Sequence, residues 1–314
     1  MNNLVEVAKN VMISCMGAKV GEKIVILTDS LKIGLAMNFS EACRELNFDT
    51  ILIELNVQKG GEPPEIACRA LEMADVCLII TSNSYTHTKA RAEANKRGCR
   101  IASMPGITEE IVSKTLGIDY DQLEKETNTL RDILTKSKTI RVTTELGTDI
   151  SFYTNGRSGI ADTGKLDKVG AFGNLPAGEA MVAPIEDSGN GKVVIDGVIG
   201  FVGIPERPVV LTIVNGEIIR IENDDGKMTR FMDGFEKNIY KIAEFGIGTN
   251  KAAEILNNPL VDEKVFSTVH LGLGNNLFMG GNQDCNMHFD VIIKKPTVYC
   301  DDVCIIKDGN HIYE

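Results

Sequence analysis

Two segments near the C-terminal end combine side chain types that ligate metal ions. In Met287-His-Phe-Asp-Val-Ile-Ile, the two-residue period of a strand turns His288 and Asp290 to one face and Phe289 and Val291 to the other. An imidazole and a carboxylate then converge. By itself such a pair is also what a histidine bonded to a local acid looks like. The chain has only four histidines, and a second of them, His270, stands in Val269-His-Leu-Gly-Leu-Gly, where Gly272 and Gly274 let the backbone pack closely.

Two carboxylates have the same character. Glu179 lies in the turn-rich stretch Gly173-Asn-Leu-Pro-Ala-Gly-Glu-Ala-Met-Val-Ala-Pro, and Glu244 in Ala243-Glu-Phe-Gly-Ile-Gly-Thr-Asn. A carboxylate among apolar and glycine residues needs a partner, because burying it unpaired costs several kcal/mol. That partner is either a Lys or Arg or a metal ion. Taken together, three carboxylates and two imidazoles, expected on loops and strand ends, fit one or two borderline divalent ions.

The first part of the chain alternates helix and strand signals. Apolar residues at helical spacing (Leu4, Val7, Ala8, Val11, Met12, Cys15) precede the buried run Lys23-Ile-Val-Ile-Leu-Thr. Further runs at Thr50, Asp75 and Arg100 are separated by helical stretches, and strands apolar on both faces indicate a doubly wound parallel sheet. No glycine-rich phosphate loop follows the first run, so no nucleotide is expected. After a helix over about 119–135 the pattern changes to hairpins, among them Val209-Val-Leu-Thr-Ile-Val-Asn-Gly-Glu-Ile-Ile-Arg-Ile with its Asn-Gly turn. The reading is an α/β domain over 1–137, then a mainly antiparallel β-rich (α+β) metal-binding domain over 138–314, built as a barrel or sandwich.

A net charge of -11 argues against nucleic acid, which needs clustered Lys and Arg, and points to a peptide or small-molecule partner. No apolar run approaches the roughly 20 residues that span a bilayer. Glu6 and Lys9 interrupt the place of a secretory signal, and the eight scattered cysteines read as buried thiols, so a cytoplasmic protein is expected. Cys300 and Cys304 are the one close pair and lack a second pair to complete a thiolate site.

The four segments around Glu179, Glu244, His270 and His288, in this order, resemble the signature blocks of the metalloaminopeptidases typified by aminopeptidases T and S. The resemblance implies a pair of divalent ions (Zn, Co or Mn) held by Glu179, Glu244, His270, His288 and Asp290. It also implies removal of N-terminal residues from peptides and a homodimer. Glu179, with Glu263 next, would take the proton of a metal-activated water. One position departs from the aminopeptidase pattern: Leu277 stands where those enzymes have a tyrosine. This form of the block is similar to a shorter branch that includes relatives of a dihydroxypyridine dioxygenase. That similarity implies the alternative of one Fe(II) on His270, His288 and Asp290. A non-catalytic metal-binding relative is the third reading.

Overall fold

The structure is a computed structural model and describes residues 3–57 and 61–313. The chain separates into two compact units, and the division is not a single cut. The first unit runs to Glu124 and takes in Thr163–Ala177; the second holds Lys125–Asp162 and the chain from Gly178 onward. A composition pattern read in order places one boundary near 137. Backbone pairing instead returns a later segment to the first sheet.

In the first unit, α1 (Leu4–Asn10), continued by a π-helical turn to Cys15, precedes β1 (Lys23–Asp29), α2 (Ile33–Glu45) and β2 (Asp49–Leu55). Then come α3 (Glu65–Met73), β3 (Val76–Ile80), α4 (Lys89–Lys96), β4 (Arg100–Ser103) and α5 (Glu109–Thr115). Helix α6 (Tyr120–Lys136) carries the chain into the second unit, which starts with β5 (Thr139–Thr143), β6 (Asp149–Tyr153) and β7 (Ile160–Asp162). Strand β8 (Phe172–Asn174) then rejoins the first sheet, whose order is β2-β1-β3-β4-β8, all parallel. Both faces are apolar, as a sheet with helices on both sides requires. Val25, Leu27, Cys77, Ile79 and Ile101 pack with Ala67 and Leu71 of α3 and Ala90 and Ala94 of α4. Ile24, Ile26 and Leu78, of opposite parity, are equally buried. The doubly wound α/β fold expected from the alternating runs is present.

The second unit continues with β9 (Glu179–Val182), β10 (Asn190–Ile195), β11 (Val209–Val214), β12 (Glu217–Glu222), α7 (Lys227–Met232) and β13 (Ile242–Gly248). It closes with α8 (Pro259–Asp262), β14 (Thr268–Gly274), β15 (His288–Lys294), β16 (Thr297–Cys300), β17 (Val303–Lys307) and β18 (Asn310–His311). Asn215 and Gly216 both take positive φ (50° and 73°), the conformation of a tight two-residue hairpin turn between β11 and β12. Two antiparallel sheets result, ordered β12-β11-β10-β6-β5-β16-β17-β18 and β15-β14-β13-β9-β7. They share one core. Ile140, Phe152, Val193 and Leu211 of the larger sheet join Phe245, Val269, Leu271 and Val291 of the smaller. The Phe152 and Phe245 rings lie 5.4 Å apart between centroids. Among the described residues, no helix is long and apolar enough to cross a membrane.

Phe245 is fully buried at this junction and backs directly onto Glu244, so Phe245→Ala is expected to destabilise the second unit by about 3–5 kcal/mol. Urea unfolding checks this. An unchanged midpoint would count against a shared core between the two sheets.

Candidate metal centre

The smaller sheet has two unlike faces, and the strand period makes them. Ala180, Val182, Phe245, Ile247, Val269, Leu271, Leu273, Phe289 and Val291 all enter the core. Glu179, Glu244, Gly246, His270, Gly272, His288 and Asp290 alternate with them and take the opposite face. A register shift between Ile242 and Glu244 separates two residues of the same parity: Ile242 is in the core, and Glu244 is on the site face.

Register then sets a glycine opposite each long side chain. Gly246 faces His270, Gly272 lies between Glu244 and Asp290, and Gly274 faces His288. A Cβ on Gly246 would stand 2.0 Å from His270 Nε2. One on Gly272 would stand 2.6 Å from both Glu244 Cβ and His288 Cε1. The polar cluster therefore occupies space that only glycines leave free. The expected loops and strand ends around Glu244 and His270 are strand interiors, because Gly246, Gly248, Gly272 and Gly274 serve as missing side chains rather than as turn formers.

All five residues picked from the sequence as metal donors come together. Nε2 of His270 is 3.2 Å from Glu244 Oε1 and 3.3 Å from Glu179 Oε2. Nε2 of His288 is 3.2 Å from Glu244 Oε2 and 3.3 Å from Asp290 Oδ1. Glu244 thus lies between the two imidazoles. Donor atoms of Glu179, Glu244 and His270 lie within 4.8 Å of one another, as do those of Glu244, His288 and Asp290. The carbonyl of Asn275 lies 2.7 Å from His288 Nδ1, so that nitrogen donates its proton and Nε2 is left facing the carboxylates.

The cluster is strongly electronegative. Burial pushes Glu179 up to about 7, against the opposing charges of Lys264 and His270. His270 is disfavoured as a cation by burial, yet its hydrogen bond to Glu244 and the charges of Glu179 and Asp290 raise it to about 9. Asp290, although buried, is held well below the usual carboxylate range by His288. Glu179 Oε2 and Asp290 Oδ1 are buried oxygens that accept no hydrogen bond. Lone pairs left this way on Asp290 cost free energy that a metal cation recovers, whereas Glu179 already holds the Lys264 ammonium on its other oxygen. Each donor group offers one imidazole nitrogen with carboxylate oxygens, a donor set suited to a divalent transition ion, and the residues present fit one.

The chain's 3–313 segment matches the family model described as 2,5-dihydroxypyridine 5,6-dioxygenase. The chain belongs to this family. A relative of that name from Pseudomonas putida KT2440 is 22% identical over 266 residues, covering 78% of this chain and 73% of the relative. The structure of 2,5-dihydroxypyridine dioxygenase from the same strain superposes with a TM-score of 0.83 at 18% identity, over 99% of this chain and 97% of that one. Wild-type AmpT from Thermus thermophilus superposes with a TM-score of 0.73 at 15% identity, over 99% of both chains. At these identities the two structures speak for the fold alone. Family membership overturns the expected hydrolase: the likeness to aminopeptidases is one of architecture, and neither peptide cleavage nor a Zn, Co or Mn pair follows from it.

Three further residues have other surroundings. Glu263 lies outside both donor groups, with its carboxylate 2.7 Å from Lys264 Nζ. Asp262, beside it, spends Oδ1 on the backbone N–H of Leu256 at 2.7 Å. Leu277 is half exposed, and the aromatic ring next to the cluster belongs to Phe278, 5.3 Å from His288 between centroids. The sequence reading missed Lys264 and Asp162. A lysine after two acids reads as surface, whereas Lys264 is buried against Glu179, Glu263 and Asp162.

Gly246→Ala tests the cradle. The added methyl displaces the His270 imidazole, so bound metal is expected to fall at least about 10-fold, the scale of losing ligand support, while circular dichroism stays unchanged. Full metal content in the folded variant would remove His270 from the centre.

Proposed function

We propose that the protein is a mononuclear non-haem Fe(II) dioxygenase that opens the ring of a dihydroxypyridine or a closely related hydroxylated heteroaromatic. One observation carries the reading: the dioxygenase family model spans 3–313, and within that span two imidazoles and an aspartate share one sheet face. His270, His288 and Asp290 would hold the ion, the two-histidine, one-carboxylate set that leaves positions open. Bound there, Fe(II) supplies the coordination of ring hydroxyl and O₂ and the electron transfer between them.

The chain's own groups do the positioning. The Glu244 carboxylate stands between the imidazoles, 3.2 Å from Nε2 of each, which fixes their separation, and the Asn275 carbonyl accepts from His288 Nδ1 and holds that ring in one orientation. Phe278 presents an exposed ring beside His288, a face on which a planar heteroaromatic stacks. We place the protein in the cytoplasm, where all eight cysteines stay as the free thiols seen here. We also infer a twofold homodimer, since the larger sheet ends on the β12 edge with Ile219 exposed.

Protein reconstituted anaerobically with Fe(II) is expected to take up oxygen with 2,5-dihydroxypyridine. His288→Ala and Asp290→Ala should bring turnover to background, and Glu244→Gln should lower it roughly 10- to 100-fold. No iron-dependent uptake on any dihydroxypyridine would sink the proposal. Sedimentation at micromolar concentration is expected to give twice the 34.2 kDa chain mass; a single-chain species would exclude the dimer.

A further inference from the structure

Lys264 is 2% exposed, and its ammonium touches three carboxylates: Glu179 in a short contact, Glu263 at 2.7 Å and Asp162 at 3.2 Å. Its position is built in from the backbone. Strand β13 places Gly248 opposite Glu179, and a Cβ on Gly248 would fall 2.1 Å from the Val265 carbonyl oxygen and 2.8 Å from the Lys264 carbonyl carbon. The 264–265 backbone therefore lies flat on Gly248, the cross-strand partner of Glu179, and Asn250 N–H donates to the Lys264 carbonyl at 2.9 Å. The lysine is delivered to Glu179 by packing, not by a mobile side chain reaching in.

Two sets of donor atoms share Glu244. The set with His288 and Asp290 contains no ammonium contact; the set with His270 contains Glu179, whose Oε1 is taken by Lys264. Its other oxygen, Oε2, is buried without a hydrogen bond. A dication and an ammonium on the same carboxylate repel strongly at the low dielectric of a buried site. The ammonium therefore weakens a dication's hold on Glu179.

We infer that Lys264 is a built-in monocation standing where a second divalent ion would bind, so that the chain takes one metal ion and loss of the lysine opens a second site. Asp162, Glu179, Glu263 and the shared Glu244 would supply its oxygens, a hard donor set for a divalent cation. The inference rests on the single-ion reading of the centre and accounts for the surplus carboxylates. Its test needs neither substrate nor oxygen, so it fails or stands apart from the dioxygenase activity.

The probe is Co(II), titrated anaerobically into metal-free protein, with stoichiometry read by elemental analysis and by the visible absorption of bound cobalt. Wild type and Lys264→Arg are expected to saturate at one ion per chain, and Lys264→Ala at two. Should Lys264→Ala fold only in the presence of metal, its stoichiometry after folding in Co(II) decides in the same way. The paired variant Glu179→Gln, Lys264→Met removes charge and counter-charge together and is expected to remain at one. Two ions in wild type, one in folded Lys264→Ala, or two in the paired variant would each overturn the inference.

Discussion

Glu244 is buried between two imidazoles, and an ionised carboxylate in that position costs several kcal/mol unless cations answer it. Much of the second unit follows from that requirement. Each of its two oxygens meets one imidazole, His270 from the neighbouring strand and His288 from the strand beyond it. Their bulk must fit on a sheet face already crowded by Glu179 and Asp290. Glycines at the facing positions provide the room, and the core on the opposite face fixes the strands so that the room persists.

The same requirement divides the cluster into two electrostatic halves. On one side His270, His288 and Asp290 make up the ligand set proposed for iron. On the other, Lys264 neutralises Glu179, Glu263 and Asp162 with a charge that belongs to the chain. A surplus of carboxylates therefore does not by itself count metal ions. An ammonium carried in by packing answers the same negative charge without metal, and that distinction is invisible in a list of acidic residues.

The architecture supports this chemistry without dictating it. One fold is similar both to a dihydroxypyridine dioxygenase and to AmpT at nearly full coverage, so the reaction has to be argued from the groups at the site. Here the decisive groups are few. They sit on adjacent strands of the smaller sheet, while the aromatic group beside them, Phe278, comes from the connection between β14 and β15.

By itself the sequence determined the α/β then β-rich order, because strand and helix periods are local, and it singled out Glu179, Glu244, His270, His288 and Asp290, which the structure brings together, because metal-binding side chains among apolar neighbours stand out. Family membership came from whole-chain comparison and corrected the hydrolase reading to a dioxygenase family. The remaining features were decided by tertiary structure. Which side chains Gly246 and Gly272 make room for is set by register, which places them against His270, Glu244 and His288. The return of β8 to the first sheet depends on pairing across the chain. Lys264 reads as a surface charge until the backbone beside it packs on Gly248. Each of these depends on which residue lies opposite which, a relation between strands distant in sequence that no local pattern encodes.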